Sequence, residues 1–155
     1  EIWELTTVKK MVIFLTLIFG MNAMALFVPC AKGDTKCVIR GFKVNGEVIN
    51  KDENQDIEYI VYFINNFAES GSIEIVGHTD SIGTKRYNLK LSIIRAENTA
   101  KMLREFGLNE KFIISKITGE GENFPIDTNG TVAGRYNNRR VEIFIENIKF
   151  KEQVK

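Results

Sequence analysis

An aspartate and an arginine in suitable surroundings can grip a zwitterion. Asp80 sits in the stretch Gly77-His78-Thr79-Asp80-Ser81-Ile82-Gly83, and Arg95 follows fifteen positions later. A carboxylate takes an ammonium through charge-assisted hydrogen bonds, and a planar guanidinium takes a carboxylate through two parallel N–H donors. The pair works this way only if the two groups stand close without fully satisfying each other. Otherwise it is a surface salt bridge worth about 0–1 kcal/mol and without function. Thr79 and Asn88 offer a hydroxyl and an amide as secondary contacts, although Asn88 reads equally well as a helix cap. Arg139 shares strand parity with Val141, Ile143 and Ile145, so it continues a buried face beyond the strand end, where it can meet a ligand. Arg140 shares parity with Glu142 and Glu146 and is expected in solvent.

Other chemistries find less support. His78 is the single histidine of the chain, which leaves no multi-histidine zinc site and restricts catalytic triads to that one residue. Its expected role is a ring at the pocket wall. Gly119-Glu120-Gly121 lacks the G-K-[ST] of a phosphate loop. Glu120, Glu122 and Asp127 are the carboxylates a hydrolase would use for acid–base work, but their loop offers no apolar setting to raise a pKa. Lys and Arg number 21 against 20 for Asp and Glu, a net charge of +1, which argues against a dedicated nucleic-acid binder. No catalytic residue, metal or cofactor is assigned.

The elements that must position these residues follow from hydrophobic spacing. The 155 residues are 44% hydrophobic, enough for one domain with a single core. Val38 to Val44 is expected as a strand closed by the turn pair Asn45-Gly46. A helix is expected from Asp52, with Gln55 as its capping-box partner. Its apolar positions are Ile57, Ile60, Val61, Ile64, Phe67 and Ala68, and Gly71 ends it. Ser72 to Val76 reads as a buried strand. A second helix begins near Tyr87 or Asn88, with Tyr87, Leu91 and Ile94 as one apolar set, Ala96, Thr99, Ala100 and Leu103 as another, and Gly107 at its end. That start places Arg95 one and a half to two turns into the helix. Phe112 to Thr118 gives a third strand, 119–139 a long polar loop, and Val141 to Glu146 a last strand with one wet face. The fold class is α/β (α+β), β-α-β-α-β-loop-β, a mixed sheet with two helices packed on one face.

Ahead of this domain, Lys9-Lys10 precede an uncharged run from Met11 to Met21, and Ala23-Met24-Ala25 follow. A basic region, an apolar stretch of about 7–15 residues and an A-x-A site form a secretory signal peptide. Residues 1–25 are therefore read as upstream residues and a cleavable signal peptide, 26–37 as a mature amino-terminal segment, 38–147 as the domain and 148–155 as a frayed tail. The alternative is an uncleaved helix that tethers the domain to a membrane. Export predicts a disulfide between Cys30 and Cys37. Phe27-Val28-Pro29 before Cys30 argue against lipidation.

The quoted residues resemble, in order and spacing, the OmpA-like peptidoglycan-binding domain family. The pattern G-[HY]-T-D-x-x-G, Y-N-x-x-L-S, R-A is met by Gly77 to Gly83, Tyr87-Asn88, Leu91-Ser92 and Arg95-Ala96. Downstream, Gly119-Glu120-Gly121-Glu122, Pro125, Asn129, Gly134-Arg135 and Asn138-Arg139-Arg140-Val141-Glu142 meet the rest, so that the resemblance covers about residues 38–147. It implies non-catalytic binding of peptidoglycan in the periplasm or at the outer membrane, by either a free periplasmic protein or one that pairs with a separate outer-membrane protein. It further implies that the ligand is the diaminopimelate of the stem peptide, its ammonium on Asp80 and its carboxylate on Arg95.

Export with cleavage after Ala25 predicts a periplasmic product beginning at Leu26, without lipid and without titratable thiol. Mass spectrometry and thiol titration of the exported protein check this, and a membrane-bound product retaining residues 11–25 would refute it.

Overall fold

The computed structural model describes residues 36–49 and 54–150. The signal peptide, the capping residue Asp52 and Cys30 lie outside the described residues; Cys37, the other cysteine, is buried in the first strand. The elements run β1 (Lys36–Ile39), α1 (Asn54–Phe67), β2 (Ala68–His78), α2 (Lys85–Glu105), β3 (Phe112–Gly121), α3 (Val132–Asn138) and β4 (Val141–Phe150). The four strands form one mixed sheet in the order β1-β4-β2-β3. β2 and β3 are parallel, joined by the α2 crossover, and β4 runs antiparallel to both β1 and β2. The expected mixed sheet is present. No helix among the described residues is long and apolar enough to cross a membrane.

The apolar spacing of α1 works as read: Ile57, Ile60, Val61 and Ile64 are buried in one cluster with Ile73 and Ile75 of β2 and Ile143 and Ile145 of β4. Ala96, Ala100 and Leu103 of α2 join the same core, whereas Tyr87, expected with Leu91 and Ile94 as an apolar set, is exposed. The α2 helix ends in a Schellman motif, with Gly107 at φ 87°, its N–H on Arg104 O at 3.0 Å and Leu108 N–H on Leu103 O at 2.9 Å.

Several boundaries depart from the sequence reading, each for a tertiary reason. β1 stops at Ile39, because Gly41 takes φ 88° and the chain leaves the sheet for a turn at Lys43–Gly46, closed by Gly46 N–H on Lys43 O at 2.9 Å. Gly71 does not end α1; Ala68 already belongs to β2, which pairs from there with β4. The same pairing corrects the frayed tail, since β4 continues to Phe150 opposite Ala68. β3 runs on to Gly121. α3 was expected as loop: its seven residues carry no apolar period, and it is started by Thr131, whose hydroxyl accepts from Gly134 N–H at 3.0 Å. The α2 helix starts at Lys85 behind the cap Thr84, which makes Arg95 its eleventh residue, deeper than expected.

Gly77 and Gly119, neighbours on β2 and β3, let α2 lie directly on the strands. A Cβ on Gly77 would collide with the backbone oxygen of Ser92, and one on Gly119 with the Ser92 hydroxyl and Ile93 N. The sequence reading gave Gly77 a special backbone angle; in the structure only Gly83 of that pair has positive φ, at 110°, and Gly77 matters for space. Gly77→Ala is expected to cost roughly 1–3 kcal/mol through overpacking against helix backbone. An unchanged thermal melt would contradict this close approach.

Candidate functional site

The site forms where β2 ends. Thr79 and Asp80 follow the last residue of β2, and the loop closes at Thr84, whose hydroxyl accepts from Tyr87 N–H at 3.2 Å. Thr84, not Asn88, is thus the cap of α2. Asp80 is buried and its two oxygens divide their work. Oδ1 accepts from Ile82 N–H at 3.1 Å, which shapes the loop, and Oδ2 accepts from Arg139 Nη1 at 2.8 Å. Arg139 also donates from Nε to Phe42 O at 2.7 Å. The parity reading of Arg139 therefore brings it to the site, and it is Arg139, not Arg95, that pairs with Asp80.

Arg95 has no exposure at all. Its guanidinium donates to three carbonyls: Nε to Gly46 O at 2.8 Å, Nη1 to His78 O at 2.9 Å and Nη2 to Lys43 O at 3.1 Å. It also stacks over the Phe42 ring, 5.0 Å from the centroid. Burial lowers its pKa to about 10, against the opposing pull of Asp80, so the group stays charged at neutral pH. Asn88 is buried beside it and donates from Nδ2 to Asp80 O at 3.3 Å and to the Glu122 carboxylate. The Asn88 Oδ1 and the Thr79 hydroxyl are buried without a hydrogen-bond partner among the described residues. Thr79, Asp80, Asn88, Arg95 and Arg139 are thus brought together. Sequence reasoning missed Glu122 and the Lys43–Gly46 turn as parts of the site. The Asn45-Gly46 pair signalled the turn but not its target.

Two expectations on the opposite sheet face are corrected. Arg140 is 2% exposed rather than solvated, and Glu142 is buried rather than wet, because the loop after β3 folds across that end of the face. Arg140 Nε pairs with Glu142 Oε1 at 2.8 Å and Nη2 donates to Phe124 O at 3.1 Å, while Lys36 meets Glu142 Oε2 at 2.9 Å. Burial alone would raise the Glu142 carboxyl; the hydrogen bonds from Lys36 and Arg140 outweigh it and hold the group below the usual range. His78 lies on this face, 3.9 Å from Glu142 through Nε2. Among the described residues no cluster of three metal-ligating side chains occurs. Of the hydrolase carboxylates, Asp127 accepts from Asn137 and Thr128, which lowers its pKa, the wrong direction for a general acid.

Burial, and after it the Arg140 charge, push His78 down to about 4 from 6.5. The folded state thus binds a proton less readily than the unfolded state, and stability is full above pH 6.5 and declines as pH falls toward 4. The slope in that window approaches about 1.4 kcal/mol per pH unit. His78→Gln should flatten a urea-denaturation profile between pH 4.5 and 6.5; an unaltered slope would refute the assignment.

Residues 41–139 match the OmpA family. The chain is similar to Outer membrane porin F of Pseudomonas fluorescens, 35% identical over 105 residues, which are 68% of this chain and 31% of that protein. It is 42% identical over 73 residues to Outer-membrane lipoprotein YfiB of Pseudomonas aeruginosa, 47% of this chain and 42% of that one. The chain thus spans less than half of either relative. Among solved structures it resembles the C-terminal domain of Helicobacter pylori MotB, with a TM-score of 0.62 and 27% identity over 71% of this chain and 84% of that one. It also resembles the cell wall anchor of the T6SS from Pseudomonas aeruginosa, with a TM-score of 0.56 and 30% identity over 72% and 81%. Because that family match runs over well more than half of its residues, the chain belongs to the OmpA family.

Proposed function

We propose that this domain is a non-catalytic binder of peptidoglycan in the bacterial envelope, and that it grips the zwitterionic end of a diaminopimelate stem peptide. The observation that carries the reading is the convergence of Asp80 and Arg139 with two unpartnered buried oxygens, on Thr79 and Asn88, in one place at the end of β2. A carboxylate, a guanidinium and spare acceptors are what an ammonium and a carboxylate on one carbon require. The ligand ammonium takes the place of Arg139 on Asp80 Oδ2, and the released guanidinium turns to the ligand carboxylate. Arg95 supplies its positive charge from beneath the site while its guanidinium holds the Lys43–Gly46 turn and the end of β2 by their carbonyls. The likeness to a solved cell wall anchor supports wall attachment, and outer-membrane relatives support a periplasmic location facing that membrane.

Asp80→Asn keeps an acceptor for Ile82 N–H and loses the charge. Arg139→Gln removes the other charge of the buried pair, and a thermal melt of each variant separates lost binding from lost stability. Each should weaken pull-down by purified sacculi roughly 10- to 100-fold, since one charge-assisted contact is worth about 1.5–3 kcal/mol. Arg95→Ala is expected to lower the melting temperature as well, because three carbonyls lose their donor. Undiminished pull-down by Asp80→Asn and Arg139→Gln overturns the proposal.

A further inference from the structure

On the sheet face opposite α1 and α2, the strands and the loop after β3 line an open cleft of about 690 Å³. Val76 and His78 of β2 and Phe144 of β4 line it from the sheet, Phe124 from the loop, and Glu74 and Glu146 from the carboxylate side. Three features describe what it can hold. Its cations are already taken: Arg140 and Lys36 both meet Glu142, and Glu74 pairs with Lys116, so no unpaired cation remains there for an anionic ligand. Phe124 is 60% exposed, an aromatic ring standing in solvent at the mouth, whereas the Phe144 ring is occupied by the Lys36 ammonium at 5.3 Å. His78 is 4% exposed, and both of its ring nitrogens lack a hydrogen-bond partner among the described residues. Internally neutralised charge, carboxylate lone pairs and a free aromatic face suit a neutral, hydroxyl-rich ligand with apolar ring faces, which is a saccharide.

The cleft adjoins the Asp80 site through the chain itself. His78 and Asp80 flank Thr79, and Arg140 follows Arg139. Alternation splits the consecutive pair, Arg140 to the cleft and Arg139 to Asp80, whereas Asp80 leaves the His78 face because it lies past the end of β2 in the loop; His78 N–H on Arg140 O at 2.9 Å ties the two strand ends together. Resting on the wall-binding reading above, we propose that the cleft takes the amino-sugar backbone of the wall, with Phe124 stacked on a sugar ring and the Glu74 and Glu146 carboxylates accepting from its hydroxyl and amide groups.

Calorimetric titration of the full chain with three probes tests this. They are a stem tripeptide ending in diaminopimelate, the same peptide carried on its disaccharide, and chitotetraose, which has no peptide. The disaccharide form should bind roughly tenfold more tightly than the bare peptide. Phe124→Ser, at an exposed side chain, should abolish that advantage while leaving affinity for the bare peptide unchanged. Chitotetraose should shift the NMR signals of the His78 ring and of Phe124. Equal affinity for the two peptide forms, with no shift by chitotetraose, overturns the saccharide cleft. Failure of the bare peptide to bind overturns the stem reading instead, because the chitotetraose arm reports on the cleft independently.

Discussion

A guanidinium without solvent contact holds this end of the molecule together. Burying an ionised side chain is costly unless every direction it faces supplies a partner. Arg95 meets that condition by collecting carbonyls from two separate places, the end of β2 and the Lys43–Gly46 turn, with the Phe42 ring beneath it. Each carbonyl is backbone, so the side chain fixes the path of the main chain on either side of it.

The glycines on the strands make that approach possible. With side chains at Gly77 or Gly119, α2 would be lifted from the sheet, and Arg95 would no longer reach His78 O. The backbone of α2 also serves the site directly, since Ser92 accepts no side chain beneath it and its hydroxyl receives Gly121 N–H at 2.9 Å. Gly121 O in turn accepts Thr79 N–H at 2.9 Å, so the ends of β2 and β3 and the middle of α2 form one hydrogen-bonded unit. On the far side, Asn138 of α3 receives Ile126 and Asp127 N–H at 2.9 and 3.0 Å and donates to Asn129. Asn129 accepts Ser81 N–H at 3.2 Å, beside Asp80. A short helix that the apolar pattern does not reveal thus steadies the loop that carries the carboxylate.

Two ionic clusters share the end of the sheet without merging. Asp80–Arg139 lies towards the helices and Glu142 with Arg140 and Lys36 lies away from them, although Arg139 and Arg140 are consecutive. The pleat separates them.

The two long helices, the order of the strands along the chain, the turn at Asn45-Gly46 and the candidate set Thr79, Asp80, Asn88, Arg95 and Arg139 were legible in the sequence. Those features are local: a 3.6-residue or two-residue period, a turn dipeptide, or a spaced motif carries each of them. Partner choice was decided only by the tertiary structure. Asp80 takes Arg139 instead of Arg95 because α2 begins at Lys85, behind its cap Thr84, and draws Arg95 beneath the Lys43–Gly46 turn, a contact across about fifty residues of chain. Arg140 and Glu142 became buried for a similar reason: strand parity names a face, but only the loop folding over that face from Asn123 to Ile126 removes it from water. The tail from Asn147 to Phe150 is ordered by the first residues of β2, and no local pattern at either end contains the other.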